Sequence, residues 1–159
     1  MVSNEERHGK ARSDLMRPRY PRTMTATLSD NARVLVDGPN PAVLATVNPD
    51  GGPQTSVVWV IRDGDDVLIS TESGRRKEKN LRREPRASLT VVDRNDAGQY
   101  IEVRGRVSVT EDIGRTVAAQ LAEKYEGPGA GEEYRQLPAD VVRVVVRLTP
   151  DRVLGSAAR

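Results

Sequence analysis

The sequence predicts a mainly β protein with small helices, an antiparallel barrel that is closed or partly closed. Three observations predict it. Short apolar or alternating runs recur along the chain, each bounded by clusters of Gly, Pro, Asn and Asp. The helical segments between them are brief. No internal repeat is present, and 159 residues suit one folded domain.

Residues 1–23 are polar and charged, contain Pro18 and Pro21, and show no apolar periodicity. A disordered basic tail is expected there, with the folded domain occupying residues 24–159. Ser29-Asp30-Asn31 caps a short helix to about Asp37, with Leu28, Ala32, Leu35 and Val36 facing inward. Gly38-Pro39-Asn40-Pro41 stops it. Ala42 to Val47 reads as a strand, Asn48 to Pro53 as a turn, and Gln54 to Ile61 as the returning strand. A second turn, Asp63 to Asp66, leads into a strand from Val67 to Thr71.

The next segment, Ser73 to Arg86, carries seven basic residues against Glu78 and Glu84. Ser73 is the expected N-cap, Gly74 relaxes the turn, and Pro85 ends a short helix by moving Glu84 away from helical angles. After it come strands over Ala87 to Val92 and Gln99 to Val109. In the second of these Ile101, Val103, Gly105, Val107 and Val109 share one face. Thr110-Glu111-Asp112 opens a helix whose stripe is Ile113, Val117, Leu121 and Tyr125. Val141 to Leu148 is a sixth strand, Pro150-Asp151 a turn, and Arg152 to Gly155 a short seventh.

Composition excludes several classes of chemistry. The chain has no cysteine, and its one histidine, His8, lies in the tail, so no Cys-His or Ser-His-Asp constellation can be assembled. The carboxylates at Asp65-Asp66 and at Asp93 and Asp96 sit in turns, where they belong for conformational reasons, and no metal site is expected. No apolar run reaches membrane-spanning length, and a cytoplasmic protein is expected. The tail carries a net charge of +3 and the remainder −1, so the basicity does not form a domain-wide face. With aromatics at 3% there is also little on which bases would stack, and no nucleic-acid partner is expected. A core without Phe is thin, which favours further burial by self-association. Trp59 alternates with apolar residues and reads as core.

The Ser73 to Arg86 segment is the candidate site. Arg75, Arg76 and Lys77 fall in a first helical turn, where cations oppose the helix dipole. Helix stability does not place them there, whereas an anionic ligand at that end repays the cost. A solvated basic helix is the competing reading.

Val43-Leu44-Ala45-Thr46-Val47-x-x-Asp50-Gly51-x-Pro53-Gln54-x-Ser56 resembles the first hairpin of the FMN-binding split-barrel superfamily, the pyridoxamine 5′-phosphate oxidase-like group. Lys77-x-x-Asn80-Leu81-Arg82-Arg83-x-Pro85-Arg86-Ala87-Ser88 resembles its cofactor-phosphate helix and following strand. Glu102 to Val107, centred on Gly105, resembles the strand that comes next, and Arg152 to Ser156 the C-terminus of the branch that uses the deazaflavin coenzyme F420. The resemblance spans about residues 27–156.

The resemblance implies a six-stranded antiparallel split β-barrel and a homodimer with cofactor sites between subunits. It implies that Lys77 contacts the cofactor phosphate with Arg75 or Arg76 and Asn80. Ser56, Ser70 and Thr71 would lie along the ring and ribityl chain, and Tyr100 would approach from the partner. The C-terminal region lacks the histidine of true pyridoxamine phosphate oxidases, which argues against that activity. Arg75, Arg76, Lys77, Lys79, Arg82 and Arg83 suit a polyanion, which favours F420 over FMN. The leading expectation is an F420-dependent reductase passing a hydride to a conjugated small-molecule acceptor. The alternatives are an FMN-dependent oxidoreductase, a non-catalytic flavin or deazaflavin carrier, and a basic-tailed nucleic-acid binder. No catalytic acid is identified.

Overall fold

The computed structural model describes residues 25–159, so the expectations for the tail lie outside the described residues. Helix α1 (Asp30–Asp37) begins as the sequence predicts. The Ser29 Oγ accepts from the Ala32 N–H at 3.1 Å, and Ala32, Leu35 and Val36 are buried. Strands β1 (Ala42–Val47) and β2 (Pro53–Val58) form a hairpin, as do β3 (Ile61–Asp63) and β4 (Asp66–Glu72). Helix α2 (Arg76–Arg83), β5 (Arg86–Val92) and β6 (Tyr100–Glu111) follow, then α3 (Thr116–Glu126), α4 (Gly131–Arg135) and β7 (Arg143–Leu154).

The strands make one antiparallel sheet of seven in the order β2-β1-β5-β6-β7-β4-β3. The expected antiparallel sheet is present, but the strand count of the six-stranded split barrel is corrected to seven. Of the closed and partly closed forms the sheet takes the one left open: β2 and β3 are edges with no pairing between them. The expected single strand Gln54 to Ile61 is broken at Trp59-Val60, and its two pieces lie on opposite edges of the sheet. Laid flat, seven strands would hold those edges roughly 29 Å apart. Three residue steps from Val58 to Ile61 span at most about 11 Å. The sheet must curl until its edges nearly meet, with the core inside. That core is a single cluster, including Leu44, Ile69, Leu89, Ile101, Val103 and Leu148, roofed by Leu35 and Val36 of α1 and Leu81 of α2.

The break at Trp59-Val60 has a tertiary cause. The Tyr125 hydroxyl accepts from the Val60 N–H at 3.2 Å and donates to the Asn40 carbonyl at 2.9 Å. Lys124 Nζ donates to the Val60 carbonyl at 2.6 Å and also to the Val36 carbonyl. Both backbone groups of Val60 are thus taken by side chains of α3 rather than by a ladder.

At the other end the expected Pro150-Asp151 turn is a bulge within one continuous strand, β7. Arg104 pairs with Arg152 and Gly105 with Pro150, leaving Asp151 unpaired. Gly105 is required there, since a Cβ would lie 2.0 Å from the Thr149 carbonyl oxygen.

Two expected helix starts also shift. Arg75, not Ser73, is the N-cap of α2 and makes no side-chain capping bond, while the Ser73 N–H donates to the Val142 carbonyl at 2.9 Å. Glu111 completes β6, and Asp112 caps α3 from across a left-handed Gly114-Arg115 pair, accepting from the Val117 and Ala118 N–H groups. Ile113 consequently leaves the predicted stripe and is 83% exposed. Among the described residues no helix is long and apolar enough to cross a membrane, and no group of three His, Cys, Asp or Glu residues is placed to hold a metal ion.

Candidate functional site

Helix α2 is held by its own buried polar side. The Glu78 carboxylate accepts from Arg82 and from the Gly74 N–H, and the Arg82 guanidinium foremost holds its pKa below the usual range. The Asn80 amide is fully buried and donates to Thr46 Oγ1 and Asn48 Oδ1, both at 3.0 Å. Asn80 thus fastens the β1–β2 hairpin to α2. Arg83 donates to the Val47 carbonyl, and Arg75 pairs with Glu72 at 3.5 Å. Of the six cations expected to face a polyanion, three are therefore engaged within the chain. Arg76, Lys77 and Lys79 have no ion pair among the described residues.

Lys77 points into a cavity of about 220 Å³ bounded by β2, β4, α2, α3, α4 and the start of β7. Val57, Val58, Ala118 and Leu121 supply its apolar wall. Trp59 and Tyr134 supply two rings, 6.5 Å apart and tilted by 57°. Ser70 and Arg143 complete the lining, with Arg143 Nε and Nη2 donating to Ser70 Oγ at 3.2 and 3.0 Å. The Arg143 guanidinium also lies 5.7 Å from the centre of the Tyr134 ring.

The electrostatics of this cavity are one-sided. Burial, and then the charges of Arg75 and Arg143, lower the Lys77 pKa from its ordinary value. Burial likewise lowers that of Arg143. Lys77 makes no hydrogen bond or ion pair among the described residues. A half-buried ammonium beside two like charges, at the unfavourable end of a helix dipole, is a preformed place for an anion.

The fold brings Ser70 and Lys77 together in one cavity with the Arg75 charge beside them, and the other expected cofactor-binding residues lie outside its lining. Arg76 lines a shallow cleft with Asn48, Pro49 and Asp50. Ser56 lies on β2 with a buried Oγ that has no hydrogen-bond partner among the described residues, and Thr71 is buried in β4. Tyr100 stands at the start of β6, outside the cavity lining, with its N–H donating to Ser156 Oγ at 3.0 Å. Sequence reasoning missed Arg143 and Tyr134. Trp59, read as core, is half-buried: one face stacks on Tyr125 at 5.2 Å while the ring also borders the cavity. Behind it Lys124 is half-buried, and desolvation pulls its pKa down to about 8.

A model of the pyridoxamine 5′-phosphate oxidase family matches residues 28–157, most of the chain. The chain belongs to this family. Among solved structures, this family member is 30% identical to an F420 reductase, with a TM-score of 0.67 and coverage of 77% of this chain and 94% of that one. It is 24% identical to a conserved hypothetical protein from Mycobacterium tuberculosis, at a TM-score of 0.67 over 84% and 87% of the two chains. A pyridoxamine 5′-phosphate oxidase-related, FMN-binding protein from Nostoc punctiforme shares 17% identity and a TM-score of 0.51 over 72% of each chain. The last two show the shared fold, and membership makes the chain one of a family of flavin-binding oxidoreductases.

Proposed function

We propose that this protein is an F420-dependent reductase that delivers a hydride from the reduced deazaflavin to a conjugated small-molecule acceptor. The observation that carries the reading is Lys77, a half-buried cation with no partner among the described residues, at the mouth of α2. Likeness to an F420 reductase at 30% identity supports it. The residues present fit such a cofactor: an ammonium with no partner among the described residues and a guanidinium steadied by Ser70 offer donors to an anionic, oxygen-rich ligand.

Lys77, Arg143 and Ser70 would hold the anionic portion, and Arg76 and Lys79 remain for further negative charge. F420, when bound, supplies the hydride chemistry. The chain excludes water with Val58, Ala118 and Leu121, and the Trp59 and Tyr134 rings give flat walls against which a conjugated system packs.

One observation favours FMN instead. Arg75, Arg82 and Arg83 are spent within the chain, which narrows the polyanion surface to a clamp for a single phosphate. Titrating the purified protein with F420 and with FMN decides between them. The expected result is tighter F420 binding and oxidation of reduced F420 on adding a quinone. Tight FMN binding without F420 binding reverses the choice, and binding without turnover makes the protein a carrier.

The same reading includes a homodimer. Val43 and Val57, on the outer face of the sheet, are 37% and 74% exposed, beside a groove in which Ala45, Val47, Pro53 and Ala87 are rimmed by Arg86, Arg104 and Asp151. Sedimentation at low micromolar concentration should give a dimer, and a stable monomer with full cofactor affinity would remove this part of the reading.

A further inference from the structure

Arg115 is the one non-glycine residue with positive φ among the described residues, at φ 54°, directly after Gly114 at φ 69°. The two left-handed residues turn the chain between β6 and α3 and aim the Arg115 side chain across to the α4–β7 connection. There its guanidinium meets four backbone carbonyls. Nη1 donates to Arg135 at 3.1 Å and Leu137 at 2.6 Å. Nη2 donates to Pro138 at 2.6 Å and Val141 at 3.2 Å. Tyr134 immediately precedes this connection and Arg143 immediately follows it, and both line the cavity. Its other ties are the Gln136 N–H and side-chain amide to Glu132, the Leu137 N–H to the Tyr134 carbonyl, the Ser73 N–H to Val142, the Asp112 N–H to Arg143, and its own turn from Val141 to Pro138; none of them joins its two ends.

We propose that Arg115 is a positioning residue for the candidate site: by gathering four carbonyls of the α4–β7 connection it sets where Tyr134 and Arg143 stand. Only a planar fork of donors serves four carbonyls spread over seven residues; an ammonium offers three donors from a single point. A residue held in the left-handed region is kept there against its own preference, and the four bonds account for its retention. The binding part of the test rests on the cavity being the cofactor site.

Arg115→Gly removes the side chain while leaving the backbone free to keep its positive φ, and Arg115→Lys keeps the charge but not the fork. F420 and FMN dissociation constants are measured for both variants and wild type. Trp59, the only tryptophan, reports the Tyr134 side of the cavity through acrylamide quenching of its emission in the free protein. Arg115→Gly is expected to bind roughly 10-fold more weakly, the effect of one displaced charge-assisted contact, and to quench more readily. A few millimolar guanidinium should restore both properties in the variant and change neither in wild type. Arg115→Lys should resemble Arg115→Gly, and it carries the same comparison if the glycine variant does not fold. Wild-type affinity and quenching in Arg115→Gly overturn the proposal, as does a loss that guanidinium does not restore. If wild type binds neither cofactor, the functional reading falls, and the quenching and its restoration decide the role of Arg115 alone.

Discussion

Two lysines lie half-buried on two helices, Lys77 in the first turn of α2 and Lys124 in the last turn of α3. Burial lowers the pKa of both. Lys124 offsets part of that cost through the Val36 and Val60 carbonyls, the Asp37 charge and the helix end it occupies, where the dipole favours a cation. It also lies 5.0 Å from the centre of the Tyr125 ring. Lys77 has no such contact among the described residues. It stands at the end where the dipole is adverse and beside Arg75 and Arg143. A buried cation with carbonyl ligands belongs to the fold; one without them among the described residues is, on the proposed reading, held for a ligand.

The contrast makes opposite demands on the two positions. Lys124→Met should lower stability by about 2–4 kcal/mol, since it strips two charge-assisted bonds and leaves two carbonyls short of a donor. The melting temperature should fall by roughly 5–15 °C. A wild-type midpoint in chemical denaturation would show that Lys124 and Lys77 are alike after all. Lys77→Ala should do the reverse. Cofactor affinity should fall by roughly 10- to 150-fold, for a contact worth about 1.5–3 kcal/mol. Stability should be unchanged or slightly raised, because a cation in the first turn opposes the dipole. Isothermal titration and thermal melts of the same preparation separate the two effects, and unaltered binding would reduce α2 to a solvated face.

Which of these features could be read from the chain depended on how far the cause lay from the effect. The α1 cap and the β1–β2 turn rest on neighbours, Ser29 with Ala32 and Asp50 with Gly52, so local signals sufficed. Val58-Trp59-Val60-Ile61 looks like an unbroken strand, because the hydroxyl that breaks it lies 65 residues away on Tyr125. Pro150 looks like a turn because its tolerance within a strand depends on Gly105 opposite. Lys77 was legible because its charge contradicts its helix position. Arg143 was not, since the Ser70 hydroxyl that orients it is 73 residues earlier.

The lysines should also part with pH. Lys124 titrates at about 8 in the folded protein against 10.5 for an unperturbed lysine. Between those values the unfolded chain binds the extra proton, so raising pH through that window favours folding. The stability of wild type, taken relative to Lys124→Met, should therefore rise from about pH 8 toward 10.5, and a flat difference would show that Lys124 is not desolvated. At Lys77 the readout is binding. Affinity for an anionic cofactor should fall as pH climbs through its lowered pKa, and Lys77→Ala should lose that dependence.

The smallest effect is expected at Arg82, whose guanidinium is turned back onto Glu78. Arg82→Ala should leave F420 affinity within about twofold, the range of a substitution outside the site. It should cost about 1 kcal/mol of stability, because the buried Glu78 carboxylate loses its main partner. A large loss of F420 affinity would mean that Arg82 leaves Glu78 for the ligand, and would restore the wider polyanion surface.

Strand β7 is the last strand in the chain and sits between β6 and β4. Those two strands leave the ribosome well before their common neighbour does, β4 by some seventy residues on the sequence. At about 5–20 residues per second this gap lasts for seconds. Until Arg143–Leu154 arrives, both strands present open edges to other nascent chains. The sheet is thus joined at its middle only once residues 143–154 have been made, and until then the edges of β4 and β6 are open to mispairing.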